Sequence, residues 1–242
     1  VMMNSWYFTD WLRRPRVPDD FDAKKGGGVL FRQGPHHVGL ARMVGGGLVK
    51  SVRGHTSVVS PDRPVEASYS ASITFEGGAV AHLSFSCYGY FNSGALNWSV
   101  GEGGNREGPF NPSLDPAAPG SWPQQAFRPT SVPTWDILTD SSAYQPFFGL
   151  NVITCERAEL RQSPQGVLVY DESGMHELVL PKGPLEREAE LTELYTAWAE
   201  DRPLRFHDGR WAKATLEVIL GIIQSAREGR DVVMAHQTRY VV

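Results

Sequence analysis

Apolar residues in this chain recur with two rhythms, and the switches between them divide it into elements. Residues 1–8 read as a strand that starts so abruptly that a piece of a longer chain is expected. From Pro35 the rhythm is helical: Val38, Leu40, Met43 and Val44 follow a Gly-Pro pair, and Gly45, Gly46 and Gly47 stop the run. From Leu48 the period falls to two. Val49, Val52 and residues 55–59 predict one strand, and residues 67–76 and 79–88 predict two more, joined at Gly77-Gly78 by a hairpin turn that tolerates positive φ. Short strands resume at residues 152–156, 158–161, 167–170 and 176–180, with Gln165-Gly166 and Ser173-Gly174 as turns. Two helices close the chain. Leu191, Leu194, Tyr195 and Trp198 form one stripe, behind a solvated run of Glu186, Glu188 and Glu190. Trp211, Thr215, Val218, Ile219, Ile222, Ile223 and Ala226 form the second, which Gly229 stops.

Two stretches break the pattern. Residues 11–18, Trp-Leu-Arg-Arg-Pro-Arg-Val-Pro, carry two prolines and predict an extended loop. Residues 101–146, the heart of an irregular insertion at about 91–148, are rich in glycine and proline. Trp122, Phe127, Trp135, Tyr144 and Phe147 should pack it down as an ordered excursion. Small and hydroxyl side chains alternate through residues 67–88, which predicts one wet face. The fold class that follows is α+β: a single domain over residues 1–242 with an open, mostly antiparallel β-sheet and helices packed on one face. The uncovered face is expected to pair with another copy, giving a homo-oligomer.

Composition narrows the function classes. A chain of 242 residues with 41% apolar and 21% charged residues can bury a proper core. A formal charge of −4 gives no reason to expect nucleic acid or an anionic membrane as partner. Cys87 and Cys155 are too few for a disulfide scaffold and fit a reduced, cytoplasmic setting. No apolar run approaches the roughly 20 residues that span a bilayer, and residues 1–8 lack the basic leader and cleavage site of a signal peptide.

The densest chemistry lies in residues 26–39, Gly-Gly-Gly-Val-Leu-Phe-Arg-Gln-Gly-Pro-His-His-Val-Gly. Three glycines let another group approach the backbone closely. His36 should sit in the first turn of the helix, where the dipole disfavours imidazolium and keeps the ring neutral, as a general base requires. His36 and His37 diverge by about 100° on a helix, so they are not a metal-ligand pair, and no metal is expected. Gly101 and Gly103 lack the third glycine of a dinucleotide fingerprint, which has Arg106 in its place. Arg13, Arg14 and Arg16, beside Tyr7, Phe8 and Trp11, and Arg32, four residues before His36, could hold a carboxylate bidentately. A solvated basic loop neutralised by Asp10, Asp19, Asp20 and Asp22 reads the same residues equally well.

Gly26 to Gly28, Gly34 and His36, with the closing pattern Asp208, Trp211, Ala214-Thr215-Leu216-Glu217, Ser225-Ala226-Arg227 and Gly229-Arg230, resemble the C-terminal domain of the Gfo/Idh/MocA oxidoreductases. The resemblance implies a dihydrodipicolinate reductase-like fold, His36 as proton acceptor, and Gly27 and Gly28 beside the cofactor. It also implies NAD or NADP held mainly by an N-terminal Rossmann domain that is not in this chain, so that the chain alone would be inactive. Arg32 and Gly39 stand where the family carries aspartates. Together with residues 11–16, Arg32 resembles the phthalate dihydrodiol (4,5-dihydroxyphthalate) dehydrogenase branch. That branch implies an aromatic carboxylate substrate held by Arg32, Arg13, Arg14, Arg16, Trp11 and His37. A sugar or polyol dehydrogenase of the same family, or a non-catalytic module that dimerises through its sheet, is the alternative.

Overall fold

The computed structural model describes residues 1–11, 17–61, 63–106, 144–181, 183, 188–204 and 208–240. Among them nine strands form one open sheet in the order β8-β7-β6-β5-β1-β4-β3-β2-β9. The strands are β1 (Met2–Phe8), β2 (Val49–Ser57), β3 (Ser68–Phe75), β4 (Val80–Ser86), β5 (Leu150–Thr154), β6 (Glu159–Ser163), β7 (Gly166–Asp171), β8 (Gly174–Val179) and β9 (Val232–Val233). Every pairing is antiparallel except β1 with β4. That exception follows from the chain path. The helical segment after β1 carries the chain to β2 near the sheet edge, and the β2-β3-β4 meander returns it to β1 running the same way.

The period-two pattern sorts the two faces as expected. Met3, Ser5 and Tyr7 of β1, Tyr69, Ala71, Ile73 and Phe75 of β3, and Ala81, Leu83 and Phe85 of β4 point into the core. On the other face the register aligns Asn4, His82, Ser72 and Arg53 in one row across four strands. The predicted wet alternation is therefore real in β3 and β4, whereas β1 adds the exposed Met2 and Trp6 to the same face.

Helices cover the apolar face. α4 (Gly209–Glu228) starts where the Asp208 carboxylate accepts the Trp211 N–H and ends at Gly229 in the left-handed region. Its Val218, Ile219 and Ile222 are buried to within 1% of full, each contributing about 1.5–3 kcal/mol of burial. α2 (Gly34–Val44) packs beside α4 and lays His37 over Tyr69 and Phe85. One turn precedes it that the sequence pattern does not announce, α1 (Val29–Arg32). The cap comes from afar in sequence: the Glu66 carbonyl accepts the Val29 N–H at 3.2 Å and its carboxylate accepts the Leu30 N–H at 3.3 Å. α1 then runs into α2 through Gln33, whose carbonyl accepts from His37 N–H.

α3 (Glu188–Ala199) forms where the pattern places a helix, but its stripe faces outward. Leu191, Leu194, Tyr195 and Trp198 are 57–77% exposed and only Ala197 is buried. Residues 107–143, with Trp122, Phe127 and Trp135, lie outside the described residues. Phe147, at the end of the insertion, is buried, with its ring 6.4 Å from Trp98. No helix among the described residues is long and apolar enough to cross a membrane.

Candidate active site

Adjacent positions on α2 face different surroundings, as 100° of helical rotation demands. His36 lines a cavity of about 740 Å³ whose walls include Phe31, Leu40 and Met43 from the α1–α2 segment, Phe148 before β5, and Trp211 from α4. The His36 and Phe148 rings lie 5.5 Å apart. The lining is thus largely aromatic and aliphatic, with an imidazole set into it.

His37 turns inward and is fully buried. Burial without a countercharge lowers its pKa to about 3, so the ring is neutral. Its Nδ1 lies 2.9 Å from the Tyr69 hydroxyl and its Nε2 2.6 Å from Ser5 Oγ. The tautomer follows from the next partner. Ser5 donates its single proton to Asn151 Oδ1 at 2.6 Å, so Ser5 must accept from His37 Nε2–H, and Nδ1 accepts from Tyr69. Burial also raises the Tyr69 phenol well above its usual range, which keeps it a donor. Beyond Ser5, Asn151 Nδ2 donates to the Phe148 carbonyl at 3.3 Å and Asn151 N–H donates to Gln162 Oε1 at 2.9 Å. Gln162 Nε2 in turn donates to the Gly149 carbonyl at 2.5 Å. Asn151 and Gln162 both line the cavity.

The other residues singled out from the sequence fall elsewhere. Arg32 is not part of the cavity lining; its Nε lies 2.9 Å from Asp20 Oδ1, so a carboxylate of this chain already meets it. Trp11 is buried in the core. Arg13, Arg14 and Arg16 lie outside the described residues. At Gly27 a Cβ would stand 2.7 Å from the carbonyl oxygens of Asp19 and Asp20; at Gly28, where φ is +101°, it would collide with the Glu66 carboxylate. The close approach that Gly27 and Gly28 permit is thus taken up within the chain by Asp19, Asp20 and Glu66, while a Cβ at Gly26 would meet nothing within 4 Å. Among the described residues no three His, Cys, Asp or Glu side chains gather as a metal site would require.

Phe148, Asn151, Gln162 and Trp211 are cavity residues that sequence reasoning passed over. Trp211 reads as core in any helical pattern, and Asn151 sits at the seam of the insertion and β5. A polar side chain on the inward parity of a strand was the available signal, but parity is unknown until the register is.

Comparison with known proteins bears on the family and the fold. Residues 1–104 match the family model of the GFO/IDH/MocA C-terminal domain. A curated relative, the 1-carboxy-3-chloro-3,4-dihydroxycyclo hexa-1,5-diene dehydrogenase of Comamonas testosteroni, is 26% identical over 250 residues, covering 93% of this chain and 58% of its own. A solved candidate dehydrogenase from Bordetella bronchiseptica RB50 is 34% identical with a TM-score of 0.81, covering 96% of this chain and 62% of its own. The WlbA dehydrogenase from Bordetella pertussis, solved in complex with NADH and UDP-GlcNAcA, shares the fold at 16% identity and a TM-score of 0.58, covering 97% of this chain and 55% of its own. The chain therefore spans about three fifths of the length of these relatives. The resemblance drawn from the glycine-histidine segment and the closing helix is borne out, and the open, mostly antiparallel sheet is the fold of that C-terminal domain.

Proposed function

Starting from a GFO/IDH/MocA C-terminal domain, we propose that the chain is the substrate-binding part of an NAD(P)-dependent dehydrogenase of carboxylated cyclohexadiene cis-diols. Within that class we favour phthalate cis-dihydrodiol (4,5-dihydroxyphthalate) dehydrogenase. The observation that carries this reading is the cavity, whose lining sets His36 beside aromatic and aliphatic side chains. A flat ring buries its faces against such walls, and polar side chains set among them, His36, Asn151 and Gln162, are available to its hydroxyls and its carboxylate. The curated relative's name, a carboxylated dihydroxycyclohexadiene dehydrogenase, supports the same substrate class.

In this proposal His36 takes the proton from one ring hydroxyl while hydride leaves the carbon that bears it. The hydroxy-ketone so formed is a tautomer of the catechol, and rearomatisation draws the reaction forward. NAD or NADP supplies the hydride acceptor, held mainly by a nucleotide-binding domain outside these 242 residues. Arg13, Arg14 and Arg16 remain the cationic candidates for the carboxylates. The open sheet face is assigned to pairing with a second copy, in a cytoplasmic enzyme. The test is a coupled assay on the full-length protein, with phthalate cis-dihydrodiol and myo-inositol offered separately with NAD⁺ and reduced nicotinamide followed by absorbance. Reduction with the diol alone is expected; reduction with the polyol alone would refute the substrate class.

A further inference from the structure

Two neutral carboxamides on the cavity wall carry the site further than its histidine. Asn151 on β5 and Gln162 on β6 are neighbours across the pairing of those strands, and both line the cavity. Neither amide is free to turn. Asn151 Oδ1 accepts from Ser5 and its Nδ2 donates to the Phe148 carbonyl, so a flipped amide would set oxygen against oxygen and hydrogen against hydrogen. Gln162 is held the same way, accepting from Asn151 N–H and donating to the Gly149 carbonyl. Each amide nitrogen keeps a second N–H beyond these bonds. Behind Asn151 runs a one-way series of donors: Tyr69 to His37, His37 to Ser5, Ser5 to Asn151. A polar chain through the core of a sheet domain replaces apolar packing and needs every member satisfied. Here it ends at the cavity.

We infer that Asn151 and Gln162 are specificity residues that present preorganised carboxamide N–H donors to a carboxylate of the ring substrate, with Ser5 and His37 as positioning residues behind them. The inference rests on the carboxylated-diol reading above and names what meets the anion. Two observations and one physical argument favour it over an arginine-only site. Arg32 is paired with Asp20 and stands off the lining. Glu190 lines the cavity from α3, which leaves the β5–β6 wall as the seat for negative charge. Neutral donors locked by other hydrogen bonds stabilise an anion without the reorganisation that a flexible cation requires. His37, in direct line with the amide yet deep in the core, thereby acts on the substrate only through Ser5.

The experiment is calorimetric titration of the full-length protein with phthalate and, separately, with catechol, an uncharged ring of similar size. Asn151→Asp places a carboxylate where the donor was, and should weaken phthalate roughly tenfold or more while changing catechol about twofold at most. Gln162→Glu should act in the same sense and guards against a folding defect in the first variant. Ser5→Ala frees the Asn151 amide to turn and should lower the phthalate-to-catechol affinity ratio by about threefold, a shift that mere loosening of the fold would not produce. Equal weakening of both rings by Asn151→Asp and Gln162→Glu would overturn the assignment. Failure of the unaltered protein to bind either ring would instead refute the substrate reading, and the assignment falls with it.

Discussion

The two sides of α2 treat one residue type in opposite ways. His36 faces a cavity with aromatic walls; His37, the next residue, is sealed between α2 and the sheet and locked by Ser5 and Tyr69. The same imidazole is a candidate base in one place and a neutral strut in the other. Protonation at His37 is suppressed by burial; the cavity at His36 leaves room for a reacting hydroxyl. The lesson is that a histidine pair in sequence carries two independent meanings, set by which side of the helix the core claims.

Four outcomes would break or sharpen that contrast. The largest concerns His36. In the full-length enzyme, His36→Ala should lower kcat/KM by about 10²–10⁴-fold with an unchanged melting temperature; near-normal turnover would remove the base assignment. His37→Leu should do the reverse. It strands the Tyr69 hydroxyl and the Ser5 acceptor in the core and should cost about 2–4 kcal/mol in urea unfolding. A loss well below 1 kcal/mol would mean that water reaches those groups.

The third outcome is the pH dependence of stability. Between its ordinary value of 6.5 and about 3, the unfolded chain holds a proton on His37 that the folded chain excludes. Stability from this residue is therefore complete above pH 6.5 and is lost as pH falls toward 3, with a slope of up to roughly 1.4 kcal/mol per pH unit. Denaturant midpoints from pH 7 to pH 4 should fall less steeply in His37→Leu than in the unaltered protein. Arg32 supplies the smallest effect. Its pair with Asp20 is about two fifths exposed on the arginine side, so Arg32→Ala should cost about 0.2–1 kcal/mol of stability. KM for a carboxylated diol should change by less than about threefold. A change confined to the charged substrate and much larger than this would restore Arg32 to the site.

Much of the architecture was legible because apolar periodicity is a local consequence of one buried face. The β3–β4 hairpin, the four short strands after the insertion, and α4 with its Gly229 stop all stand close to where the pattern puts them. Three features were not legible, each for a stated cause. α1 depends on Glu66, which is remote in sequence and caps the helix with both carbonyl and carboxylate. The α3 stripe has the same apolar spacing as α4, but spacing does not say whether a neighbour lies opposite. Arg32 keeps its four-residue register with His36, yet the choice between a substrate and Asp20 as its partner is made by a side chain twelve residues back.

By itself the sequence determined most of the element order, the alternation of the β3–β4 hairpin, the family resemblance and the histidine pair as the candidate chemistry. Those follow from the chain's local periods and from side-chain chemistry. Only the tertiary structure decided which histidine faces the cavity and what fills the space above Gly27 and Gly28. It alone also placed Asn151 and Gln162 on the cavity wall. The reason is that register and packing are set by contacts between distant segments, such as Ser5 with Asn151 across 146 positions, and no local pattern encodes them.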